Sequence, residues 1–249
     1  MSDRVVSDLY DRAALAEFYD LGQPHRIDFE FCRALARDAS SVLDLGCGTG
    51  ALAIEIAPTT PVTGVDPAQG MLDIARTRPG GDAVTWIAGD ARSVRLGRTF
   101  DLIMLTGHTF QVFLTAGDRL AVLATIAAHL NPMGRFVFDT RNPDYPGAKE
   151  RTKSQTLRQI MHPQHGVVDK WNESGFDPAT GILTYTNSYR VRATGELRSA
   201  TEQISYTGRA ALAAVVAEAG LRVDQWFGDW SGAPFAPHAS EIIPLGGLP

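Results

Sequence analysis

Short apolar runs alternate with segments of helical period from Ser41 to Asp139. The runs of strand length are Ser41–Leu45, Val62–Val65, Ala83–Ala88, Phe100–Leu105 and Arg135–Asp139. Apolar positions recur at helical spacing over residues 50–57, 68–77 and 117–130, and before the first strand over 8–20 and 25–38. Strands that alternate with helices in this way predict a doubly wound, mostly parallel sheet with crossover helices.

The pattern changes after the fifth predicted strand. Residues 154–206 contain stretches of period two, interrupted by turn-forming residues at 177–181 and 193–196, which predicts antiparallel strands. A helical segment over 208–219 ends at Gly220, and two further strands are predicted at Leu221–Phe227 and Glu241–Leu245. The antiparallel part is therefore predicted to be an insertion after the fifth strand of a single α/β domain with seven strands in its main sheet.

Composition narrows the class of protein. The 249 residues are 44% hydrophobic and carry a formal charge of −5, with 23 scattered Lys and Arg, which disfavours nucleic acid as a partner. No apolar run reaches the length of a membrane span and no signal peptide is evident, so we expect a cytoplasmic protein without a membrane partner. The two cysteines, Cys32 and Cys47, are predicted to be free thiols.

The most informative segment is the glycine loop after the first strand, where Asp44 precedes Gly46, Gly48 and Gly50. This loop alone also fits a dinucleotide-binding fingerprint. Acidic residues follow the next two strands as well, Asp66 after the second and Asp90 after the third. Because we find no basic partner in these loops, the three carboxylates favour a cationic ligand with one adenosine over a polyanionic dinucleotide.

With these motifs in order, residues 41–140 resemble the class I S-adenosylmethionine-dependent methyltransferases. The resemblance implies a Rossmann-like fold in which the glycine loop holds the methionine part of the cofactor, Asp66 the ribose and Asp90 the adenine. The implied cofactor-binding residues are Asp44, Gly46, Cys47, Gly48, Gly50, Asp66, Pro67, Met71, Asp90, Ala91 and Thr106.

The changes of periodicity, and the lack of a low-complexity linker or an internal repeat, predict that residues 1–249 form one domain with four parts. We expect N-terminal helices over 1–40 and a cofactor-binding core over 41–150. An antiparallel insertion, which can serve as a lid, follows over 151–207, and the last helix and final strands occupy 208–249.

Candidates for the acceptor side follow the fourth and fifth strands, where ligands of open α/β sheets bind. His108 is the leading candidate for a general base or substrate contact, although a loop histidine often only binds backbone. Arg141 could hold a substrate carboxylate or phosphate, and an ion pair with a nearby acid is the alternative. Further candidates for substrate contacts are Phe110, Gln111, Trp230 and His238. No metal site is expected, because His162 and His165 have no matching ligands and read as an exposed hairpin.

The sequence thus predicts an enzyme that transfers a methyl group from S-adenosylmethionine to a nitrogen or oxygen of a small molecule by in-line displacement. Two alternatives stay open. One is an NAD-dependent oxidoreductase with the same glycine loop, and the other is a non-catalytic S-adenosylmethionine-binding regulator. We expect a monomer or homodimer, and the sequence does not identify the acceptor.

Overall fold

The fold is described by a computed structural model that covers residues 15, 18, 20, 21, 27–147 and 149–249. The helices are α1 (Ile27–Ala36), α2 (Ala51–Ile56), α3 (Gln69–Thr77), α4 (Ala116–His129), α5 (Lys153–Thr156) and α6 (Arg209–Glu218). The strands are β1 (Val42–Leu45), β2 (Val62–Asp66), β3 (Thr85–Ala88), β4 (Phe100–Leu105), β5 (Leu130–Phe138), β6 (Thr140–Arg141), β7 (Arg158–His162), β8 (Gly166–Asp177), β9 (Ile182–Val191), β10 (Leu197–Ser205), β11 (Arg222–Phe227) and β12 (Glu241–Gly247). No helix among these residues is long and apolar enough to cross a membrane.

The main sheet has the strand order β11-β12-β5-β4-β1-β2-β3, and the short β6 pairs with β12. Strands β1 to β5 are parallel, whereas β12 runs antiparallel to both β5 and β11. A separate antiparallel sheet, with the order β10-β9-β8-β7, follows β6 in the chain. The predicted fold, a mostly parallel seven-stranded sheet with an antiparallel insertion after the fifth strand, is confirmed.

The core lies on both faces of the main sheet because its strands are buried on both sides. Side chains of β4 alternate between the faces: Ile103 and Leu105 pack on the side of α4 and α6, and Leu102 and Met104 pack on the side of α1 and α2. This explains why the strands read as continuous apolar runs in the sequence.

Most element bounds agree with the predicted ones to within two residues, but the start of β5 does not. We predicted a strand from Arg135 after a turn at Asn131–Gly134, whereas the strand begins at Leu130. Its pairing with β4 is irregular: Phe100 pairs with Leu130, and Leu102 pairs with Arg135. Pro132, which has no N–H to donate, lies within this irregular part.

Two described residues near the N-terminus pack on the antiparallel sheet. Leu15 and Phe18 are buried there in an apolar cluster, and the Phe18 ring stacks on Tyr189 with 4.8 Å between centroids. Asp20 then accepts a hydrogen bond from the Thr49 hydroxyl at 3.0 Å and pairs with Arg78, both next to the glycine loop. The predicted helix over 8–20 lies mostly outside the described residues, and that over 25–38 is observed as α1.

The predicted hairpin at His162 and His165 forms between β7 and β8, but His162 is not exposed. Its ring packs 4.9 Å from Phe18 between centroids, and its Nδ1 accepts hydrogen bonds from the N–H groups of Gln164 and His165 at 3.1 and 3.2 Å. The prediction of exposure is wrong because the N-terminal segment contributes Phe18 to this end of the sheet.

The indole of Trp86 packs against two glycines, one in the glycine loop and one in β2. A Cβ at Gly64 would lie 2.5 Å from Cζ3 of Trp86 and 3.0 Å from Sγ of Cys47. A Cβ at Gly50 would lie 2.3 Å from Cη2 of the same ring, and Gly50 has a φ of 74°. The close approach of β2, the glycine loop and Trp86 therefore requires glycine at both positions.

We expect Gly64→Ala to lower the free energy of unfolding by about 1 to 3 kcal/mol, because the added methyl overpacks the space beside Trp86. Urea unfolding of the variant measures the loss. Combining it with Trp86→Phe, whose smaller ring leaves room, should cost less than the sum of the two single substitutions. Strict additivity of the two substitutions would show that the clash with the indole is not the cause.

Candidate active site

A cleft of about 1820 Å³ lies between the carboxyl edge of the main sheet and the antiparallel sheet. The loops that follow β1, β2, β3, β4 and β5 supply one wall, and β8, β9 and β10 supply side chains to the other. This edge of a parallel sheet is where ligands of open α/β folds bind. The insertion thus closes the space above the predicted cofactor loops.

The glycine loop turns sharply into α2 and opens toward this cleft. Gly46, Gly48 and Gly50 all have positive φ angles, of 82°, 54° and 74°. The N–H groups of Gly46 and Cys47 donate to the Val65 carbonyl at 2.7 and 3.1 Å, which holds the loop against β2. A Cβ at Gly48 would meet no atom within 4 Å, so the backbone there borders open space that a ligand can approach closely.

Asp66 lies at the end of β2, lines the cleft and is buried. Its Oδ2 accepts the N–H of Gly48 at 2.9 Å and its Oδ1 accepts the N–H of Ala68 at 2.8 Å. Since each carboxylate oxygen has a second acceptor position, both can still accept a hydrogen bond from a ligand hydroxyl. Burial raises the pKa of the Asp66 carboxyl, and the hydrogen bonds from Ala68 and Gly48 oppose that rise.

Asp90 is paired with a basic residue, which corrects the expectation that the acids of these loops have none. Arg92 donates from Nη2 to Oδ2 of Asp90 at 2.6 Å and from Nε to both oxygens at 3.1 Å, and it also pairs with Asp118 at 2.8 Å. The Arg92 hydrogen bond holds the pKa of the Asp90 carboxyl below its usual range. Arg92 therefore competes for the oxygens that we assign to the adenine amino group, and Asp90 as an adenine ligand stays a prediction.

The remaining predicted cofactor residues divide into two groups. Those that line the cleft with Asp66 and Asp90 are Gly46, Gly48, Pro67, Met71 and Ala91. Asp44, Cys47, Gly50 and Thr106 are not part of the cleft lining. Asp44 is buried, and burial, followed by the charges of Asp44 and Asp66, raises the pKa of the Cys47 thiol well above its usual value.

His108 follows β4 and projects into the cleft from a backbone in the left-handed region, with a φ of 64°. Its backbone N–H donates to Oδ1 of Asp139 at 2.9 Å, which holds this uncommon conformation. Its Nε2 lies 3.1 Å from both carboxylate oxygens of Glu241 and 3.4 Å from Oδ2 of Asp139. No described residue binds Nδ1, so that nitrogen is available to a ligand.

Asp139 and Glu241 are functional candidates that the sequence reasoning missed. Asp139 immediately follows β5 and is 1% exposed, and burial raises the pKa of its carboxyl while the charge of His108 opposes the rise. Glu241 begins β12, far away in sequence. Because β12 is antiparallel to β5, its first residue lies at the edge where β5 ends, and this topology was the signal that could have pointed to Glu241.

Of the predicted substrate residues, some line the cleft and others do not. Arg141 and Trp230 line the cleft, and Arg141 donates from Nη1 to the Gln111 amide oxygen at 3.0 Å rather than to a carboxylate. Gln111 is buried, also donates to the Ser205 carbonyl at 2.9 Å, and thus positions Arg141. Phe110 lies in the core, stacked 4.2 Å from Phe138 between ring centroids, and the exposed His238 contacts the Asp144 carbonyl away from the cleft lining.

Three groups in this site could also hold a metal ion. Donor atoms of His108, Asp139 and Glu241 all lie within 4.8 Å of one another, and one imidazole with two carboxylates is a donor set that divalent cations accept. The same distances fit an imidazole that donates from Nε2 to the two acids. The expectation that the protein uses no metal stays a prediction.

Comparisons with known proteins identify methyltransferases. Residues 42–134 match the model of a methyltransferase domain family. A cypemycin N-terminal methyltransferase from a Streptomyces species is 26% identical over 208 residues, covering 83% of this chain and 82% of that protein. A malonyl-[acyl-carrier protein] O-methyltransferase from Anoxybacillus flavithermus is 32% identical over 111 residues, which span 43% of this chain and only 41% of that protein.

A solved structure extends the likeness in fold to the whole chain. The S-adenosylmethionine-bound amino pentose methyltransferase CalS10 from Micromonospora echinaspora superposes with a TM-score of 0.72 at 22% identity, covering 100% of both chains. At this identity the likeness concerns the fold, including the antiparallel insertion. The comparisons do not favour a nicotinamide enzyme or a non-catalytic regulator.

We expect Asp66→Ala to weaken S-adenosylmethionine binding roughly 10- to 150-fold, because charge-assisted hydrogen bonds of about 1.5 to 3 kcal/mol are lost. Isothermal titration calorimetry measures the change. Asp73→Ala, which removes an exposed carboxylate from α3 outside the cleft, is the matched control and should bind as the wild type does. Unchanged affinity in Asp66→Ala would remove this residue from the site.

The raised pKa of Asp66 adds a pH dependence to the same measurement. As the pH is lowered through that pKa, the carboxyl gains a proton and one oxygen becomes a donor instead of an acceptor. The affinity of the wild type should therefore fall toward acidic pH, beginning above the ordinary aspartate range. Asp66→Asn, whose side chain does not titrate, should bind more weakly at neutral pH and show a flatter profile.

Proposed function

We propose that this chain, which belongs to the class I S-adenosylmethionine-dependent methyltransferases, methylates an amine of a small molecule and uses His108 as the general base. Its cofactor is S-adenosylmethionine, and S-adenosylhomocysteine is the product left from it. The observation that carries the proposal is the cluster of His108, Asp139 and Glu241 in the cleft.

The residues present fit this cofactor. When bound, S-adenosylmethionine supplies a methyl group on a positively charged sulfur. A nucleophile would bond to the methyl carbon in line with the carbon–sulfur bond, which breaks and leaves its electron pair on sulfur. Gly48 leaves room for a close approach, and Asp66 offers acceptors for ribose hydroxyls. The side chain of Thr109, next to His108, lies against Gly46, where a Cβ would come within 2.4 Å of its methyl group. The loop that carries His108 therefore touches the glycine loop.

The charge of the acceptor side favours nitrogen over oxygen. Two carboxylates, Asp139 and Glu241, lie beside the imidazole, so this part of the cleft attracts a cationic group such as an ammonium. The cypemycin N-terminal methyltransferase, whose name indicates a nitrogen acceptor, matches 83% of this chain. The O-methyltransferase match covers 43% and gives less support, since it leaves more than half of the chain without a counterpart.

His108 has a defined task with such an acceptor. An ammonium has no lone pair, so one proton must leave before the nitrogen can attack the methyl carbon. With Nε2 donating to Glu241 and Asp139, Nδ1 of a neutral ring is the acceptor for that proton, and the two carboxylates stabilise the imidazolium that forms. Their position fixes the tautomer in the way that a carboxylate orients the histidine of a catalytic triad.

The other expectations from the sequence complete the proposal. We propose that Gly46, Gly48, Asp66, Pro67, Met71 and Ala91 contact the cofactor and that Arg141 and Trp230 contact the acceptor, which the cleft lining supports. A single domain, a cytoplasmic location, no part for nucleic acid, and a monomer or homodimer stay predictions.

An acceptor panel tests the choice of nitrogen. Primary amines and the corresponding alcohols, matched in size, are incubated with the protein and S-adenosylmethionine, and formation of S-adenosylhomocysteine above the acceptor-free background is measured. We expect turnover of amines and none of their hydroxyl counterparts. Methylation of the alcohols alone, or of no amine in a broad panel, would contradict the proposal.

Replacing His108 tests the base. His108→Asn and His108→Gly both tolerate the left-handed backbone, so the ring is removed with little added strain. We expect kcat to fall by ~10² for an amine that is protonated at the assay pH, with the affinity for S-adenosylmethionine unchanged. An amine that is already neutral at that pH should lose much less. Rates within twofold of wild type for both kinds of amine would assign His108 a structural role.

A further inference from the structure

We propose that the amine acceptor also carries a negatively charged oxygen group, a phosphate or a carboxylate, which is bound by a basic wall formed by Arg141, Lys149 and Arg151. This inference rests on the proposed function, because it identifies the class of acceptor that the same cleft takes. All three residues line the cleft and lie between the end of the main sheet and the antiparallel sheet.

The three cations lack carboxylate partners among the described residues. Arg141 donates from Nη1 to the amide oxygen of Gln111 at 3.0 Å, and Lys149 donates from Nζ to the carbonyl of Pro143 at 2.6 Å. No hydrogen bond or ion pair of the Arg151 side chain is found in the described part of the chain. The charge of Arg141 also acts on the Asp139 carboxylate, whose pKa it lowers, whereas Lys149 and Arg151 have no carboxylate partner among the described residues. An anion in the cleft therefore gains charge-assisted hydrogen bonds, above all from Lys149 and Arg151.

The surroundings of Lys149 differ from those of the paired surface arginines. The exposed Arg192 and Arg222, elsewhere among the described residues, pair with Asp169 and Asp224 at 2.9 and 2.8 Å, respectively. Lys149 instead faces aromatic rings, 4.9 Å from Phe176 and 5.6 Å from Tyr206 to the ring centroids. Aromatic faces hold an ammonium in place without neutralising it, and the charge remains available to a ligand.

The basic wall borders the cluster of His108, Asp139 and Glu241. Tyr206 lines the cleft, and burial raises the pKa of its hydroxyl, while the charges of Arg141 and Arg151 lower it and that of Glu241 raises it. Charges of the basic wall and the charge of Glu241 therefore both act on the Tyr206 hydroxyl. A ligand with an amine at one end and an anionic group at the other matches this change of sign along the cleft.

The antiparallel sheet adds a further cation, Lys170, to the cleft lining, which also contains Glu202. This lysine lines the cleft, has no carboxylate partner in the described residues and donates to the Leu21 carbonyl at 3.4 Å. Burial, with the nearby charge of Arg158, lowers the pKa of its ammonium to about 8, so most of it stays charged at neutral pH. An anionic group larger than one carboxylate can therefore also meet cations farther along the same wall.

Paired acceptors test the inference by turnover. A neutral hexosamine, the same hexosamine carrying a phosphate, and an amino sugar acid carrying a carboxylate are compared with wild type, Lys149→Gln and Arg151→Gln. We expect KM for an anionic acceptor to be roughly 10-fold or more below that of the neutral amine, and to rise by a similar factor in either variant with kcat unchanged. The acceptor with the larger advantage identifies phosphate or carboxylate.

Direct binding makes the test independent of turnover. Inorganic pyrophosphate and succinate are titrated calorimetrically into the protein saturated with S-adenosylhomocysteine, and we expect saturable binding of one of them that weakens roughly 10-fold in the Arg151→Gln protein. Arg37→Gln, which removes an exposed arginine outside the cleft, is the matched control and should bind as wild type does.

The outcomes separate the two proposals. Equal KM values for neutral and anionic amines, or anion binding that is absent or unchanged in Arg151→Gln, would overturn the basic wall and leave amine methylation standing. If no amine is methylated but the anion binds at Arg151, the proposal of an anion-binding basic wall stands and the proposal of a nitrogen acceptor is overturned.

Discussion

The buried carboxylate of Asp139 constrains His108 in two ways. One oxygen accepts the backbone N–H of His108 and holds the residue in a left-handed conformation, and the other oxygen lies 3.4 Å from Nε2 of its ring. A histidine on a loop would otherwise sample many orientations. Because Asp139 directly follows β5, these two contacts hold the imidazole at the end of a central strand. The proposed chemistry depends on that placement, since proton transfer needs a base held within hydrogen-bond reach of its donor.

The cofactor half of the site was readable from the sequence because its signals are local. The glycines that need positive φ angles lie in one short loop, and Asp66 is marked by the end of an apolar run. Periodicity likewise predicted the strands and the antiparallel insertion, since each depends on neighbouring residues. The irregular start of β5 was missed because Leu130–Gly134 reads as a helix stop and a turn.

The acceptor half was less readable because it is assembled from distant parts of the chain. Glu241 reaches His108 only through the antiparallel placement of β12, and the partner of Arg141 is decided by how Gln111 packs against Ser205. For Asp90, the expectation of no basic partner was wrong although Arg92 lies only two residues away in the sequence. Sequence spacing shows which groups can meet, and three-dimensional packing decides which of them do.

Charges of opposite sign occupy the two walls of the cleft. Acids dominate where the main sheet ends, and cations dominate where the inserted sheet begins. A transferred methyl group carries no charge, but the sulfonium donor and an ammonium acceptor both do, and they would repel each other in a neutral pocket. Asp139 and Glu241 offset that repulsion at the point of contact, and the cations farther away can orient the rest of the acceptor.

Phe18 and Asp20 contact different parts of the fold. Phe18 stacks on Tyr189 of the inserted sheet, which lines the cleft, and Asp20 accepts a hydrogen bond from Thr49 in the glycine loop. Two positions that lie close together in the sequence therefore contact both sides of the ligand space.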